Sequence, residues 1–183
     1  MYIDFHIHAF ADEIAERAIS KLEITSDLKA YTNGKISNAV EKLEKWNIDR
    51  GVLLPIATKP SQQTTINDWA ADIQKNYSRI IAFGSIHPEA PDAFDELERI
   101  KSLGLRGIKL HPDYQNFFID DEKIYPIYEK CGELGLPVIF HAGFDPLSPE
   151  IVHALPKASA RAHEAVPQMT MILAHLGGMY HWD

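Results

Sequence analysis

Two histidines separated by one residue, His6 and His8, stand in the opening stretch of the chain. The residues around them alternate between apolar and polar types, which predicts a β-strand whose successive side chains face opposite ways. Both imidazoles then point to the same side, where two neutral ring nitrogens can bind one divalent metal ion. Two half-buried strand histidines without a metal would show the same pattern, so the rest of the sequence has to decide.

Six of the nine histidines lie at the C-terminal ends of predicted strands. They are His6, His8, His87, His111, His141 and His175. The C-terminal ends of parallel strands form one face of a sheet or barrel, which is where active sites are built. His153 and His163 fall in helical or loop segments, and we expect both to be solvated. His181 supports no prediction by itself.

The composition is that of an ordinary globular protein. The 183 residues, 45% of them hydrophobic and 24% charged, predict one domain over residues 1–183 with a sizeable core. A net charge of -8 argues against nucleic acid or an anionic membrane as the main partner. Cys131 is the single cysteine, so no internal disulfide can form and a reducing cytoplasm is the expected location. The sequence shows no charged-then-apolar leader and no apolar run of about 18 residues, so we expect neither a signal peptide nor a membrane span.

The predicted strands alternate with predicted helices. Short apolar runs predict strands over residues 2–8, 51–56, 80–86, 105–110, 136–140 and 169–174. Apolar residues three and four apart predict helices over residues 10–23, 38–46, 66–77, 91–103 and 125–135, and another that ends near residue 166. Asn38 followed by Glu41 resembles a capping box at a helix start. Gly104 is expected to end a helix in the left-handed conformation, and Pro126 to lie in a first helical turn.

Strands and helices that alternate through short connections predict right-handed crossovers and a parallel sheet. Such a sheet either stays open, as in doubly wound α/β proteins, or closes into a barrel. An open nucleotide-binding sheet would carry a Gly-rich turn after its first strand, but residues 8–10 are His-Ala-Phe. The sequence therefore favours an α/β fold of the (β/α)8 TIM-barrel type, incomplete, with about six β/α units present.

Four motifs at the predicted strand ends together resemble one family. They are Asp4-x-His6-x-His8 at the first strand, Gly107 to Pro112 at the fourth, Phe140 to Gly143 at the fifth and Ala174 to Gly178 at the sixth. In this order they resemble the amidohydrolase superfamily over nearly the whole chain. The nearest resemblance is to its amidohydrolase-2 branch, which contains metal-dependent hydrolases, lactonases and non-oxidative decarboxylases of the aminocarboxymuconate-semialdehyde type.

The resemblance implies a set of metal ligands and a reaction class. His6, His8 and His141 would bind a divalent metal, and His175 would be either a further ligand or the general acid/base. Zinc is the expected ion, with manganese as the alternative, and its role would be to activate water. We expect hydrolysis of a C–O or C–N bond in a small carboxylated substrate. Non-oxidative decarboxylation is the first alternative, and a non-catalytic metal-binding chain is the second.

Lys109 and His111 have the same strand parity, so their side chains are expected to face the same way. A carboxylated lysine on the fourth strand bridges two metals in binuclear amidohydrolases, whereas the branch resembled here generally works with one. We therefore expect Lys109 and His111 to contact a substrate carboxylate. The alternative is a structural Lys109 paired with Asp4 or another carboxylate. Asp4 is otherwise expected to orient the metal-binding pair, and His87 either lines the pocket or closes its strand.

A (β/α)8 barrel commonly needs about 250 residues, and six units account for only part of one. The family's metal-binding aspartate at the end of the eighth strand has no counterpart, and Asp183 is not expected to replace it. We therefore expect the sequence to be a fragment of a longer protein. The alternative is a short form with an open sheet edge, which would invite pairing with a second copy into a homo-oligomer.

Overall fold

The computed structural model of the protein describes residues 1–182. Within them, six short parallel strands follow one another in sequence order across the fold. They are β1 (Ile3–Ile7), β2 (Arg50–Leu53), β3 (Ile80–Ala82), β4 (Ile108–Leu110), β5 (Val138–Phe140) and β6 (Met171–Leu173). Strands β1–β3 and β4–β6 form two three-stranded parts, joined by a parallel bridge between Gly84 and Ile108. The predicted parallel order is thus confirmed.

Helices connect the strands, as the alternating pattern predicts. They are α1 (Asp12–Ser26), α2 (Ile36–Lys45), α3 (Gln63–Asn76), α4 (Ala93–Ser102), α5 (Pro112–Gln115), α6 (Tyr125–Glu133) and α7 (Pro156–Ala165). Three short 3-10 turns lie at Pro60–Gln62, Glu122–Ile124 and His175–Gly177. No helix among residues 1–182 has both the length and the apolar character needed to cross a bilayer.

Two local predictions are confirmed and one is wrong. Gly104 follows α4 with a φ of +75°, and Pro126 lies in the first turn of α6. The capping box at Asn38 is wrong, because α2 already begins at Ile36. The Asn38 side-chain amide instead donates to Glu41 from within the helix. Ile36 is buried in the core, and no side chain caps the start of α2.

The sheet packs apolar side chains on both faces. Its outer face and the surrounding helices form the main core, to which Leu53, Leu110 and Phe140 contribute. A second cluster on the inner face joins Val52, Leu54, Phe83 and Ile139, with Ile81 and Ile172 against it. Residues of β2 and β3 can touch residues of β5 and β6 only if the sheet curves around them, as in a barrel.

A β-bulge interrupts the first strand. From Asp4 to Ile7, β1 advances by three residues, whereas the paired segment of β2, Gly51 to Leu53, advances by two. Phe5 therefore turns toward Phe83 on the inner face, with ring centroids 6.1 Å apart, whereas Ile7 packs against the main core. Strict alternation places Phe5 and Ile7 on the same side of the sheet. The bulge instead turns them to opposite sides, so this expectation is wrong.

Candidate metal centre

His6 and His8 face the same side of β1, as predicted. Their Nε2 atoms are 3.0 Å apart. The Nδ1 atom of His8 donates a hydrogen bond to the carbonyl oxygen of Leu54 at 2.8 Å, so the Nε2 lone pair of His8 stays free. His8 keeps solvent-exposed surface, which places the pair at an accessible mouth of the fold.

His141 and His175 come from β5 and β6 to the same mouth. His141 Nδ1 lies 3.1 Å from His175 Nε2, and the rings of His175 and His6 have centroids 5.1 Å apart. Two nitrogens bound to one tetrahedral ion at about 2.0–2.1 Å lie about 3.4 Å apart, close to both nitrogen pairs. The structure thus brings the four histidines predicted as ligands to one mouth as two pairs, and the two nitrogens within each pair are spaced as two ligands of one ion would be.

Lys109 lies at the centre of these histidines. Its side chain is fully buried, and its Nζ atom has no hydrogen-bond partner among the described residues. Burial lowers the pKa of Lys109 to about 7, opposed by the negative charge of Asp145. The alternative that pairs Lys109 with Asp4 is wrong, since Asp4 accepts from the backbone N–H of His6. No other carboxylate pairs directly with Lys109 within residues 1–182.

The electrostatics of the cluster keep its imidazoles neutral. Burial lowers the pKa of His6, His8 and His141, and the positive charge of Lys109 lowers each further. His175 is shifted in the same direction, for the same two reasons. Neutral imidazole is the form that binds a metal, so these ring nitrogens need not release a proton near neutral pH.

His111 belongs to a stack of rings beside this cluster. Its ring lies between those of Tyr114 and His141, with centroids 3.6 and 4.3 Å away. The short helix α5, which the sequence did not predict, holds this arrangement. The Gln115 side chain accepts from the backbone N–H of His111 at 2.8 Å and donates to the carbonyl oxygen of Ile86 at 2.7 Å. Gln115 thereby fixes the end of β4 to the end of β3.

Asp145 is a site residue that the sequence prediction missed. It is buried, and its Oδ2 atom lies 3.6 Å from His111 Nε2 and 3.7 Å from His141 Nε2. Burial raises the pKa of Asp145. Ligand atoms of Asp145, His111 and His141 all lie within 4.8 Å of one another, which is near enough for a metal. The available signal was the position of Asp145 in the loop directly after the His141 motif.

His153 is buried, so the prediction that it is solvated is wrong. Its Nδ1 atom lies 3.0 Å from Asp113 Oδ1, which also accepts from the Ser148 hydroxyl at 2.7 Å. The other oxygen of Asp113 is buried without a partner, 4.0 Å from His111 Nδ1. His163 is exposed on α7, as predicted.

His87 is buried just beyond the end of β3. Its Nδ1 atom accepts from the backbone N–H of Glu89 at 3.2 Å, and the backbone N–H of His87 donates to Gln63 Oε1 at 3.1 Å. These contacts favour the interpretation in which His87 closes its strand. The histidines gathered at the mouth are therefore His6, His8, His111, His141 and His175, and Asp183 lies outside the described residues.

Gly143 lets the ends of β5 and β6 approach each other closely. Its φ is +87°, and a Cβ atom placed there would lie 2.0 Å from the backbone nitrogen of Met179. His175 and Leu176 also have positive φ values, 56° and 55°. The backbone that carries the β6 histidine is thus held in a conformation that non-glycine residues rarely adopt.

Comparison with known proteins gives a family match. A family model described as amidohydrolase matches residues 3–183. The 2-amino-3-carboxymuconate-6-semialdehyde decarboxylase of Dictyostelium discoideum is 34% identical over 79 residues, which is 42% of this chain and 22% of that protein. The matched segment is thus only about a fifth of that protein's length.

Solved structures give the fold. An uncharacterised TIM-barrel protein from Bordetella bronchiseptica superimposes with a TM-score of 0.72 and 21% identity, covering 93% of this chain and 65% of that one. The 2,6-dihydroxybenzoate decarboxylase from Rhizobium gives 0.66 and 17%, covering 96% and 66%. The described strands and helices are therefore of the TIM-barrel type, and the chain spans about two thirds of the length of these structures.

Proposed function

Because this chain belongs to the amidohydrolase family, we propose that its strand-end histidines hold one divalent metal ion for chemistry on a small carboxylated substrate. The observation that carries this proposal is the convergence of His6, His8, His141 and His175 at one solvent-accessible mouth. Zinc suits such an imidazole set best, and manganese is the second choice. When bound, the ion would act as a Lewis acid on the reacting group.

We assign metal binding to His6, His8 and His141, and proton transfer to His175. Catalytic zinc sites commonly have three protein ligands and keep one position open. The pair from β1 and the single histidine from β5 supply three nitrogens. His175 lies at the side of the cluster and remains half-buried, so its ring can reach both substrate and solvent. Burial and the positive charge of Lys109 lower the pKa of His175 from its ordinary value, so the ring is neutral near pH 7 and can take up a proton before passing it on.

Lys109 and His111 are assigned to the substrate. A fully buried ammonium without a carboxylate partner is costly, and a substrate carboxylate would supply that missing partner. His111 is buried beside His141 and offers a second polar contact at the same place. The recognised molecule is therefore a small carboxylic acid that enters at the ends of β1, β4, β5 and β6.

The reaction that we favour is non-oxidative decarboxylation. The decarboxylase from Dictyostelium supports it, since that relative shares 34% identity with part of this chain. In such a reaction the bond between the substrate and its carboxylate carbon breaks, and a proton takes the place of the carbon dioxide. His175 would carry that proton. Hydrolysis of a C–O or C–N bond is the second candidate, because the same neutral histidine donors also suit activation of water.

The two reactions are separated by their products. The purified chain, loaded with zinc or manganese, would be offered aromatic and unsaturated carboxylic acids and, in parallel, lactones, esters and amides. Carbon dioxide release that disappears in His175→Asn, while bound metal remains, supports decarboxylation. Cleavage of a lactone, ester or amide without carbon dioxide would favour the hydrolase. Metal binding with neither activity would favour a non-catalytic chain. His163→Ala, on the exposed face of α7, is the control.

A further inference from the structure

Three aromatic rings direct polar atoms toward the buried carboxylate of Asp145. Tyr114, His111 and His141 form a nearly parallel stack, with interplanar angles of 11° and 10° between neighbours. The carboxylate of Asp145 lies near enough to the Tyr114 hydroxyl to raise the pKa of Tyr114, together with burial, which is the larger cause. His111 Nε2 and His141 Nε2 lie 3.6 and 3.7 Å from the Oδ2 atom of Asp145. The backbone N–H of Leu147 holds the other oxygen, Oδ1, at 2.8 Å.

The stacking argues against a metal ion between these two histidines. An imidazole binds a metal along the lone pair that lies in the plane of its ring. Because the rings of His111 and His141 are parallel at 4.3 Å, their in-plane directions run side by side and do not meet at one point. The same parallel arrangement lets both rings direct an Nε2–H group toward the one carboxylate of Asp145.

We propose that Asp145 is a positioning residue that keeps the proton of both His111 and His141 on Nε2. For His141, the carbonyl oxygen of Phe144 accepts from the same nitrogen at 3.2 Å, so residues 144 and 145 hold this proton together. The contacts to Asp145 are slightly longer than hydrogen bonds, and such contacts commonly shorten when a site is filled. The Nδ1 atom of His141 is then left with its lone pair facing His175 and the β1 pair.

As a consequence, the ring of His141, the proposed metal ligand from β5, is held in one orientation. A histidine that binds a metal through one nitrogen usually donates its other N–H to a carboxylate or carbonyl group, and loss of that partner costs about 10–100-fold in metal affinity. Asp145 would therefore act on the metal through His141 and on the substrate through His111. This inference rests on the proposed function insofar as it takes His141 Nδ1 to be the metal-binding atom.

The test compares Asp145→Asn with Glu150→Gln, a neighbouring exposed acidic residue. Long-range 1H–15N correlation spectra of the metal-free protein report which ring nitrogen of His111 and His141 carries the proton. Zinc affinity and stoichiometry are measured by competition with a chromophoric chelator. We expect Nε2–H on both rings of the wild type, a weaker preference for Nε2 in Asp145→Asn, and zinc binding weakened about 10–100-fold at unchanged stoichiometry. Glu150→Gln should behave as the wild type.

Several results would overturn the inference. A proton on Nδ1 of His141 in the wild-type protein would do so without any variant, and therefore even if Asp145→Asn fails to fold. Unchanged ring protonation and zinc affinity in Asp145→Asn would leave Asp145 a merely structural residue. A fall from two zinc ions to one would make it a ligand. If the wild type binds no zinc, the proposed function fails, whereas the spectra of the metal-free protein still test Asp145.

Discussion

The Nδ1 atom of His8 donates to the carbonyl oxygen of Leu54 at 2.8 Å, which ties a β1 side chain to the end of β2. This contact fixes the protonation of the ring, because a carbonyl oxygen can only accept. The Nε2 atom of His8 therefore faces His6 with its lone pair free, 3.0 Å away. Backbone of the neighbouring strand, rather than another side chain, thus leaves His8 with the free nitrogen that the proposed metal site requires.

Replacing Lys109 with methionine should stabilise the metal-free protein. The ammonium is fully buried without a partner, and a methionine of similar length removes this unpaired charge. We expect the free energy of unfolding in urea, measured with a chelator present at neutral pH, to rise by about 1–4 kcal/mol. Lys101→Met, at an exposed position of α4, should change it by less than about 0.5 kcal/mol. A clear loss of stability in Lys109→Met would show that the ammonium has a partner.

The stability difference between wild type and Lys109→Met should also depend on pH. The pKa of Lys109 is lowered from 10.5 in the unfolded chain to about 7 in the folded protein. Folding therefore releases a proton between these two values, and the wild type gains stability as pH rises through that window. The advantage of Lys109→Met should be largest below pH 7 and shrink toward pH 10.5. A difference that stays constant from pH 6 to about 10 would contradict the lowered pKa.

Replacing Glu96 with alanine should destabilise the fold far more than loss of a surface ion pair. The Glu96 carboxylate is buried and accepts from Asn67 Nδ2 at 2.6 Å and from Arg99 Nη2 at 2.7 Å. Asn67 in turn bonds the backbone of Ser85 at the end of β3. Because Asn67 and Arg99 lose their partner, we expect a loss of about 2–4 kcal/mol in urea unfolding.

The control for Glu96 is Glu44→Gln. Glu44 pairs with Arg79 at 3.3 Å on the exposed surface. Exposed pairs of this kind contribute about 0–1 kcal/mol, so the loss should stay within that range. Equal losses in the two variants would mean that the buried network around Asn67 adds nothing to stability.

Replacing Leu176 with glycine should not destabilise the protein. Leu176 has a φ of 55° and is 92% exposed, so its side chain loses almost no packing when removed. The left-handed conformation costs a non-glycine residue about 1–2 kcal/mol, and the greater freedom of glycine in the unfolded chain offsets part of that gain. We expect a thermal midpoint equal to or a few degrees above that of the wild type. Leu28→Gly, at an exposed position without a positive φ, should lower it.

The sequence predicted the parts of the site that follow from strand geometry. Alternation placed His6 and His8 on one side, and the ends of the predicted strands gave His111, His141 and His175. These predictions succeed because parallel strands in a barrel must end at one face. The bulge in β1 was not visible, since Phe5 and Ile7 are equally apolar and only the pairing with β2 separates them.

The sequence did not predict the residues that loops bring to the site. Asp145 and His153 lie between β5 and α7, and their burial depends on how this segment folds back over Asp113 and His111. Polar residues in a segment rich in proline and glycine normally predict a solvated loop. The short helix α5 was missed because four residues are too few to show a helical period.

Metal content measured directly on the purified chain is the closest test of the proposed site. Elemental analysis should find one divalent transition-metal ion per wild-type chain, and this ion should be lost in the His6→Ala/His8→Ala double variant but kept in His163→Ala. Circular dichroism would verify that all three proteins are folded. If the double variant retains as much bound metal as the wild type, the histidines at the mouth of the fold are not the metal site.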